Sequence, residues 1–151
     1  MPAYIGGPCV LPLTKGADSL SFSNRLIWNV ASSPPNDKLP ENDFPFWVDV
    51  RDVARAHVLA LITPDAKGQR FILGPNSVVY SDIADIVHKH FPGLLSPPKE
   101  KQTFTHYQIE SENCRSILGI TEWISFEKLV VDTVDQVLKA QTPHGPRGSQ
   151  P

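Results

Sequence analysis

The chain has 151 residues, a length that fits one domain and allows roughly 68–70% of the unfolded surface to leave water on folding. A formal net charge of -2 with 20% charged residues lacks the basic stripe of a nucleic-acid binder, and fifteen prolines are too many for a plain helix bundle. Cys9 and Cys114 are too few for a disulfide framework, and no Cys/His spacing suggests a metal site.

In chain order, PAYIGGP (residues 2–8) reads as a short strand, with Tyr4 and Ile5 suited to it and Gly6-Gly7-Pro8 ending it. Pro2, Pro8 and Pro12 and the lack of a basic segment make the N-terminus a poor signal peptide. No apolar run approaches the ~18 residues that span a bilayer, so the expected setting is the cytoplasm, away from membrane. From Ser19 to Ser32 the pattern is helical: Phe22, Leu26 and Val30 recur every four residues beside Ile27. Asp18 or Ser19 is the expected cap, and Pro34-Pro35 the stop.

A polar, proline-rich loop (33–45) leads to the strand-like FPFWVDV, then to the helix RDVARAHVLALIT with apolar residues at Val53, Ala54, Ala56, Val58, Leu61 and Ile62. Asp49 and Asp52 resemble a capping box at the positive end of that helix. GQRFILGP (68–75) reads as another strand closed by Gly74-Pro75. The next helix spans Ser81–Phe91, with Ser81 as cap and a stripe of Ile83, Ile86, Val87, His90 and Phe91. After a second loop (94–105), ENCRSILGI reads as a short helical turn stopped by Gly119. The last helix, capped by Ser125, buries Phe126, Leu129, Val130, Val134, Val137 and Leu138. Residues 1–140 are expected to form one unit and 141–151 a disordered tail. The fold expected is α/β and helix-rich, with two or three short strands.

FWVDVRDVARAHVLAL, GQRFIL and SDIADIVHKHFP, in that order and spacing, resemble the C-terminal, substrate-side part of the extended short-chain dehydrogenase/reductases, in the branch of dihydroflavonol-reductase-like and fungal carbonyl-reductase-like enzymes. PAYIGGP and the closing ENCRSILGI…SFEKLVVDTVDQVL extend the resemblance over residues 2–140. The resemblance implies a Rossmann-type parent fold, a carbonyl substrate, NADP as cofactor and a place in specialised metabolism. Two of that family's motifs are not found in these residues. No G-x-x-G-x-x-G opens a helix, since Gly6-Gly7 precede Pro8 and a loop. No Tyr-x-x-x-Lys occurs: four residues after Tyr4, Tyr80 and Tyr107 stand Pro8, Ala84 and Ser111. The chain alone is therefore expected to bind no cofactor. Without the family's other strands, FWVDV and RFIL should be exposed edges that need a second copy or a complementary chain.

By the resemblance, Tyr4, Phe22, Asn24, Trp28, Phe46 and Trp47 are the candidates for a hydrophobic carbonyl pocket; core packing is the other reading of each. Asp49, Arg51 and Asp52 form either a polar anchor beside that pocket or a helix cap with an ion pair. His57 and His90 read best as packed helix histidines. The leading function is a truncated relative of carbonyl reductases. A freestanding isomerase, dehydratase or cyclase reusing the pocket, and a non-catalytic scaffold, are the alternatives.

Overall fold

The computed structural model describes residues 3–34, 38–42, 44–94, 101–103 and 109–141. The tail expected to be disordered lies, from residue 142 on, outside the described residues. The elements are β1 (Tyr4–Gly6), α1 (Phe22–Ala31), β2 (Phe46–Asp49), α2 (Val50–Ile62), β3 (Asn76–Ser77), α3 (Tyr80–His90), α4 (Glu112–Ser116) and α5 (Phe126–Gln141), with 3-10 turns at Gly16–Ser19 and Pro64–Ala66. The expected mixed α/β, helix-rich class is what forms.

β2 is the central strand, parallel to β1 and antiparallel to β3. All four of its residues are buried, so the expectation of FWVDV as an exposed edge is corrected. Its continuous apolar run is what a strand covered on both faces requires. Trp47 joins a cluster with Ile27, Val30, Ile83, Val87, Leu129 and Val134 under α1, α3 and α5. Val48, one residue on, points to the other face and packs with Val53, Ala56, Leu73 and Cys114 under α2 and α4. Each fully buried aliphatic side chain here contributes about 1.5–3 kcal/mol. Cys114's thiol is pushed above its ordinary pKa by that burial.

The expected strand 68–75 is also corrected. Leu73 makes a single bridge, accepting from Ala3 N at 2.9 Å, and the ladder strand is instead Asn76–Ser77 beside Phe46 and Trp47. Carbonyls at Arg70 and Ile72 are held by side chains of α4 and its approach, Asn113 at 3.2 Å and Ser111 at 2.9 Å. RFIL thus takes side-chain partners where a strand would take backbone ones.

Two helix starts differ from expectation, and a third differs in the role of one carboxylate. α1 begins at Phe22, because a 3-10 turn uses Gly16–Ser19, and Phe22 is exposed rather than on the buried stripe. α3 starts after Val79, not Ser81. Its first N–H groups are accepted by Asp82 (from Val79), Asn42 (from Tyr80) and Gln102 (from Ser81), at 2.9–3.1 Å. Asp49 caps α2 as expected, accepting Arg51 N at 2.8 Å, but Asp52 turns away to Ile124 N at 2.8 Å and Arg55 at 3.0 Å. α2 buries Val53 and Ala56 and leaves Ala54, Val58, Leu61 and Ile62 exposed. His90 is exposed, off the packed stripe, with Nε2 2.6 Å from Glu127 Oε1. Gly6 has a packing reason: a Cβ there would stand 2.7 Å from Leu129 Cδ2, so β1 lies close on α5.

Candidate functional site

The site forms where β1, the start of α1 and β2 meet. Register pairs Tyr4 with Trp47 across the parallel strands, which puts both rings on one face, 5.1 Å apart. Phe22, the first residue of α1, stands 6.1 Å from Tyr4, and Phe44 stands 5.4 Å from it edge-on. Phe46 joins through Phe44 at 5.6 Å, and Phe126 of α5 backs Trp47 at 5.7 Å. Such ring pairs are worth about 0.5–1.5 kcal/mol beyond their buried area. Trp47 and Phe46 are buried, while Phe22 is 68% exposed, so the cluster runs from core to surface.

Of the sequence candidates, the structure therefore brings together Tyr4, Phe22, Phe46 and Trp47. Trp28 sits apart, between the helix cluster and a smaller one of Leu13, Leu20 and Val137. Phe44 was not among the candidates, although the alternating Phe44-Pro45-Phe46 run could have shown it.

Asn24 is buried and has both ends of its amide engaged. Its Oδ1 accepts from Gly7 N at 3.0 Å and its Nδ2 donates to Gly7 O at 2.7 Å. Gln136 on α5 does the same for Cys9, accepting from its N and donating to its O, each at 2.7 Å. Two side-chain amides thus hold alternate residues of the segment leaving β1. Gly7 has φ 121°, a conformation glycine alone adopts readily, and a Cβ there would lie 3.2 Å from Asp49 Oδ2. The segment ends in Val10 and Leu11, both exposed. Gln136 carries no sequence signal for this role, since its partner lies 127 positions away.

Asp49, Arg51 and Asp52 serve the capping and ion-pair reading. Asp49 is fully buried and accepts from Arg51 Nε at 2.8 Å and Nη2 at 2.7 Å. Arg51 Nη1 reaches Asp132 of α5 at 2.7 Å, so the guanidinium ties the β2–α2 corner to α5. The hydrogen bonds that Arg51 donates to Asp49 raise its pKa above the ordinary value. Burial works against ionisation of Asp132, but hydrogen bonds from Lys128 and Arg51 outweigh it and lower its pKa.

A separate open cleft of ≈ 340 Å³ lies away from the aromatics, between α2 and residues 69–73, lined by Ala56, His57, Ala60, Arg70, Phe71 and Leu73. His57 Nδ1 is 2.8 Å from Val53 O, and the residue is exposed rather than packed.

Among the described residues no α-helix starts at a glycine-rich turn that could cradle a pyrophosphate. A pyrophosphate needs free N–H groups at a glycine-opened helix start. Gly6-Gly7 lead into a loop and a 3-10 turn before α1. The first turns of α2 and α3 hold the carboxylates Asp49 and Asp82 on their N–H groups, and Ser125 accepts from Lys128 N at the start of α5. Among the described residues no group of three or more His, Cys, Asp or Glu side chains could hold a metal ion, and no helix is long and apolar enough to cross a membrane.

A parallel β–α–β unit covered by helices on both faces places the chain in the Rossmann-type α/β class. The chain corresponds to part of an extended short-chain dehydrogenase/reductase. It is 32% identical over 144 residues to a putative NADPH-dependent methylglyoxal reductase of Candida albicans, covering 91% of this chain and 41% of that protein. It is 31% identical over 139 residues to a cinnamoyl-CoA reductase of Medicago truncatula, covering 90% of this chain and 39% of that one. The crystal structure of yeast methylglyoxal/isovaleraldehyde reductase with NADPH matches with a TM-score of 0.80 at 28% identity, over 91% of this chain and 42% of the enzyme. The chain thus spans about two-fifths of the length of these relatives. No protein-family model matches it.

Proposed function

We propose that this chain is the substrate side of an NADPH-dependent carbonyl reductase. Tyr4, Phe22 and Phe44 receive the apolar part of an aldehyde or ketone, Trp47 backs Tyr4 from the core, and Asn24 positions rather than contacts the substrate, through Gly7. The observation that carries this reading is the ring cluster itself, which reaches the surface at Phe22 with 68% of that residue exposed. A hydrophobic carbonyl compound is bound by such apolar walls with a few placed polar groups. The nicotinamide cofactor is held by residues other than these, because no glycine-rich turn opens an α-helix among the described residues. The free thiols of Cys9 and Cys114 suit the reducing cytoplasm. A role in specialised metabolism follows from the family resemblance alone.

The test is an NMR titration with isovaleraldehyde, the carbonyl compound named for the yeast relative. The indole N–H of Trp47 is expected to shift, and Phe22→Ala to weaken the response several-fold. Shifts confined to His57 and Phe71 in the cleft would overturn the assignment. Tight NADPH binding by the chain alone would overturn the division of labour.

A further inference from the structure

We infer that Gln136 of α5 is a positioning residue for the substrate site: its side-chain amide fixes Cys9, and with it the wall that residues 7–11 form at the end of β1, so that affinity for an aldehyde depends on that amide. This rests on the reading of the ring cluster as a substrate site and names the residue that holds the adjoining wall.

Three observations carry this role. The first is where the segment lies. Ligands of open α/β sheets bind outside the carboxyl ends of the strands, and residues 7–11 leave the carboxyl end of β1, the strand that bears Tyr4. The second is how the segment is held. β2 turns into α2 directly after Asp49, opposite Gly6, so residues beyond Gly6 lose that ladder partner. Side-chain amides take over, each exchanging two hydrogen bonds with one residue as a paired strand would. Asn24, in the same first turn of α1 as Phe22, does so at Gly7 with 3.0 and 2.7 Å, and Gln136 does so at Cys9 with 2.7 Å for both bonds. Asn24 Nδ2 also lies 3.7 Å from Cys9 Sγ, which joins the two clamps. The third is what the clamps hold in place. Val10 is 100% exposed and Leu11 77%, so the tip of the segment buries next to nothing for the fold, while Leu13 beyond it is buried again. An apolar tip whose backbone is fixed on both sides presents apolar area to a ligand with little left to order on binding.

α5 joins both parts of the site. Its first residue, Phe126, backs Trp47 at 5.7 Å, and Gln136 lies further along the same helix. The contact also demands an amide. At Cys9 the side chain must accept at one atom and donate at another, which an amide does and a carboxylate does only when protonated. In Gln136→Glu the ionised carboxylate would accept from Cys9 N and meet Cys9 O with no proton between them. Protonation returns the donor, so this variant carries its own rescue.

The test follows isovaleraldehyde binding to the full chain by NMR at the Trp47 indole N–H, at about pH 7.5 and about pH 4.5. Gln136→Met, of similar shape but with neither bond, should weaken binding about fivefold or more at both. Gln136→Glu should be as weak at the higher pH and return to within about threefold of wild type at the lower, because partial burial and the Cys9 carbonyl raise the introduced carboxyl above its ordinary value near 4.3. The titratable and charged groups around this stretch are Cys9 itself, Lys15, Asp18 with Arg25, Asp132 with Arg51 and Lys128, and Asp135 with Lys139. All are shared with the wild type, whose own titration at each pH removes their contribution. Equal binding by wild type and both variants, or a folded Gln136→Glu chain that stays weak at the lower pH, overturns the role of Gln136 and leaves the substrate reading standing. If Gln136→Met does not fold, the two titrations of Gln136→Glu decide; loss of the fold in both variants makes Gln136 a stability residue and overturns its role in binding. A wild-type chain silent toward the aldehyde at both pH values overturns the substrate reading, and this proposal with it.

Discussion

Side-chain amides and one buried carboxylate carry much of the local order around the aromatic cluster. Asn24 satisfies both backbone groups of Gly7, and neither has water as a ready substitute because the site is buried. Asn24→Ala leaves a buried donor and acceptor unpaired, each costing about 1–3 kcal/mol, so a loss on the order of 2–4 kcal/mol is expected in urea unfolding. A loss below about 0.5 kcal/mol would show that the clamp is not formed. Asp49 argues similarly through charge. Arg51→Met leaves the buried carboxylate with the backbone N–H of residue 51 as its remaining partner from the pair. Breaking a buried pair costs about 3–5 kcal/mol, and because Arg51 is itself 37% exposed the lower end is expected. Adding Asp49→Asn should return most of that loss, since the amide still accepts from the backbone but carries no charge. The sequence could nominate Asn24 and Asp49, yet it could not say that one clamps Gly7 and the other is fully buried. Those are properties of what lies opposite.

Helices were readable from periodicity, because a 3.6-residue repeat is written locally. Five helical segments stand where the apolar spacing places them, with ends displaced by capping partners far along the chain, such as Gln102 for α3. Strands were less readable. RFIL has high strand propensity but lacks a full ladder, while Asn76-Ser77 looks like a turn and pairs with Phe46 and Trp47. A strand exists by its neighbour, and the neighbour is not local. The link between α3 and α5 is also non-local: Lys89 Nζ and His90 Nε2 meet Glu127 Oε1 at 2.7 and 2.6 Å. Lys89, then His90, hold the Glu127 carboxyl down to about 2. A depressed folded-state pKa stabilises above the unfolded value, near 4.3, and the effect is lost as pH falls through the folded value. Thermal melts should therefore show the wild type ahead of Glu127→Gln above about pH 5, with the gap closing between pH 5 and pH 2. Added salt should narrow it, because the group is exposed. A gap that persists unchanged at pH 2 would remove Glu127 as its source.

At the scale of the molecule, the described residues build two cores on either side of β2 and leave apolar side chains exposed at Val10–Leu11, at Phe22 and on α2. Class was legible because FWVDVRDVARAHVLAL reads as a strand running directly into a helix, and family because that segment, GQRFIL and SDIADIVHKHFP together resemble it. The site was legible in part. Tyr4, Phe22, Phe46 and Trp47 converge through the β1–β2 register, whereas Trp28 packs between the Trp47 cluster and the smaller one of Leu13, Leu20 and Val137. Exposed edges were expected at FWVDV and RFIL; β2 is buried, and the exposed large apolar side chains among the described residues are Val10, Leu11, Phe22, Ile72 and, on α2, Val58, Leu61 and Ile62. Val58 and Leu61 are more than half exposed, so they add little to the stability of the chain and much to its tendency to self-associate. Replacing both with lysine should change unfolding free energy by no more than about 0.5 kcal/mol per site, as surface substitutions do. The same pair should lower the light scattering of concentrated solutions, since removing two exposed apolar side chains outweighs the change of net charge from -2 to 0. If scattering is unchanged while stability falls by several kcal/mol, these side chains belong to the core of the molecule and α2 has no free face.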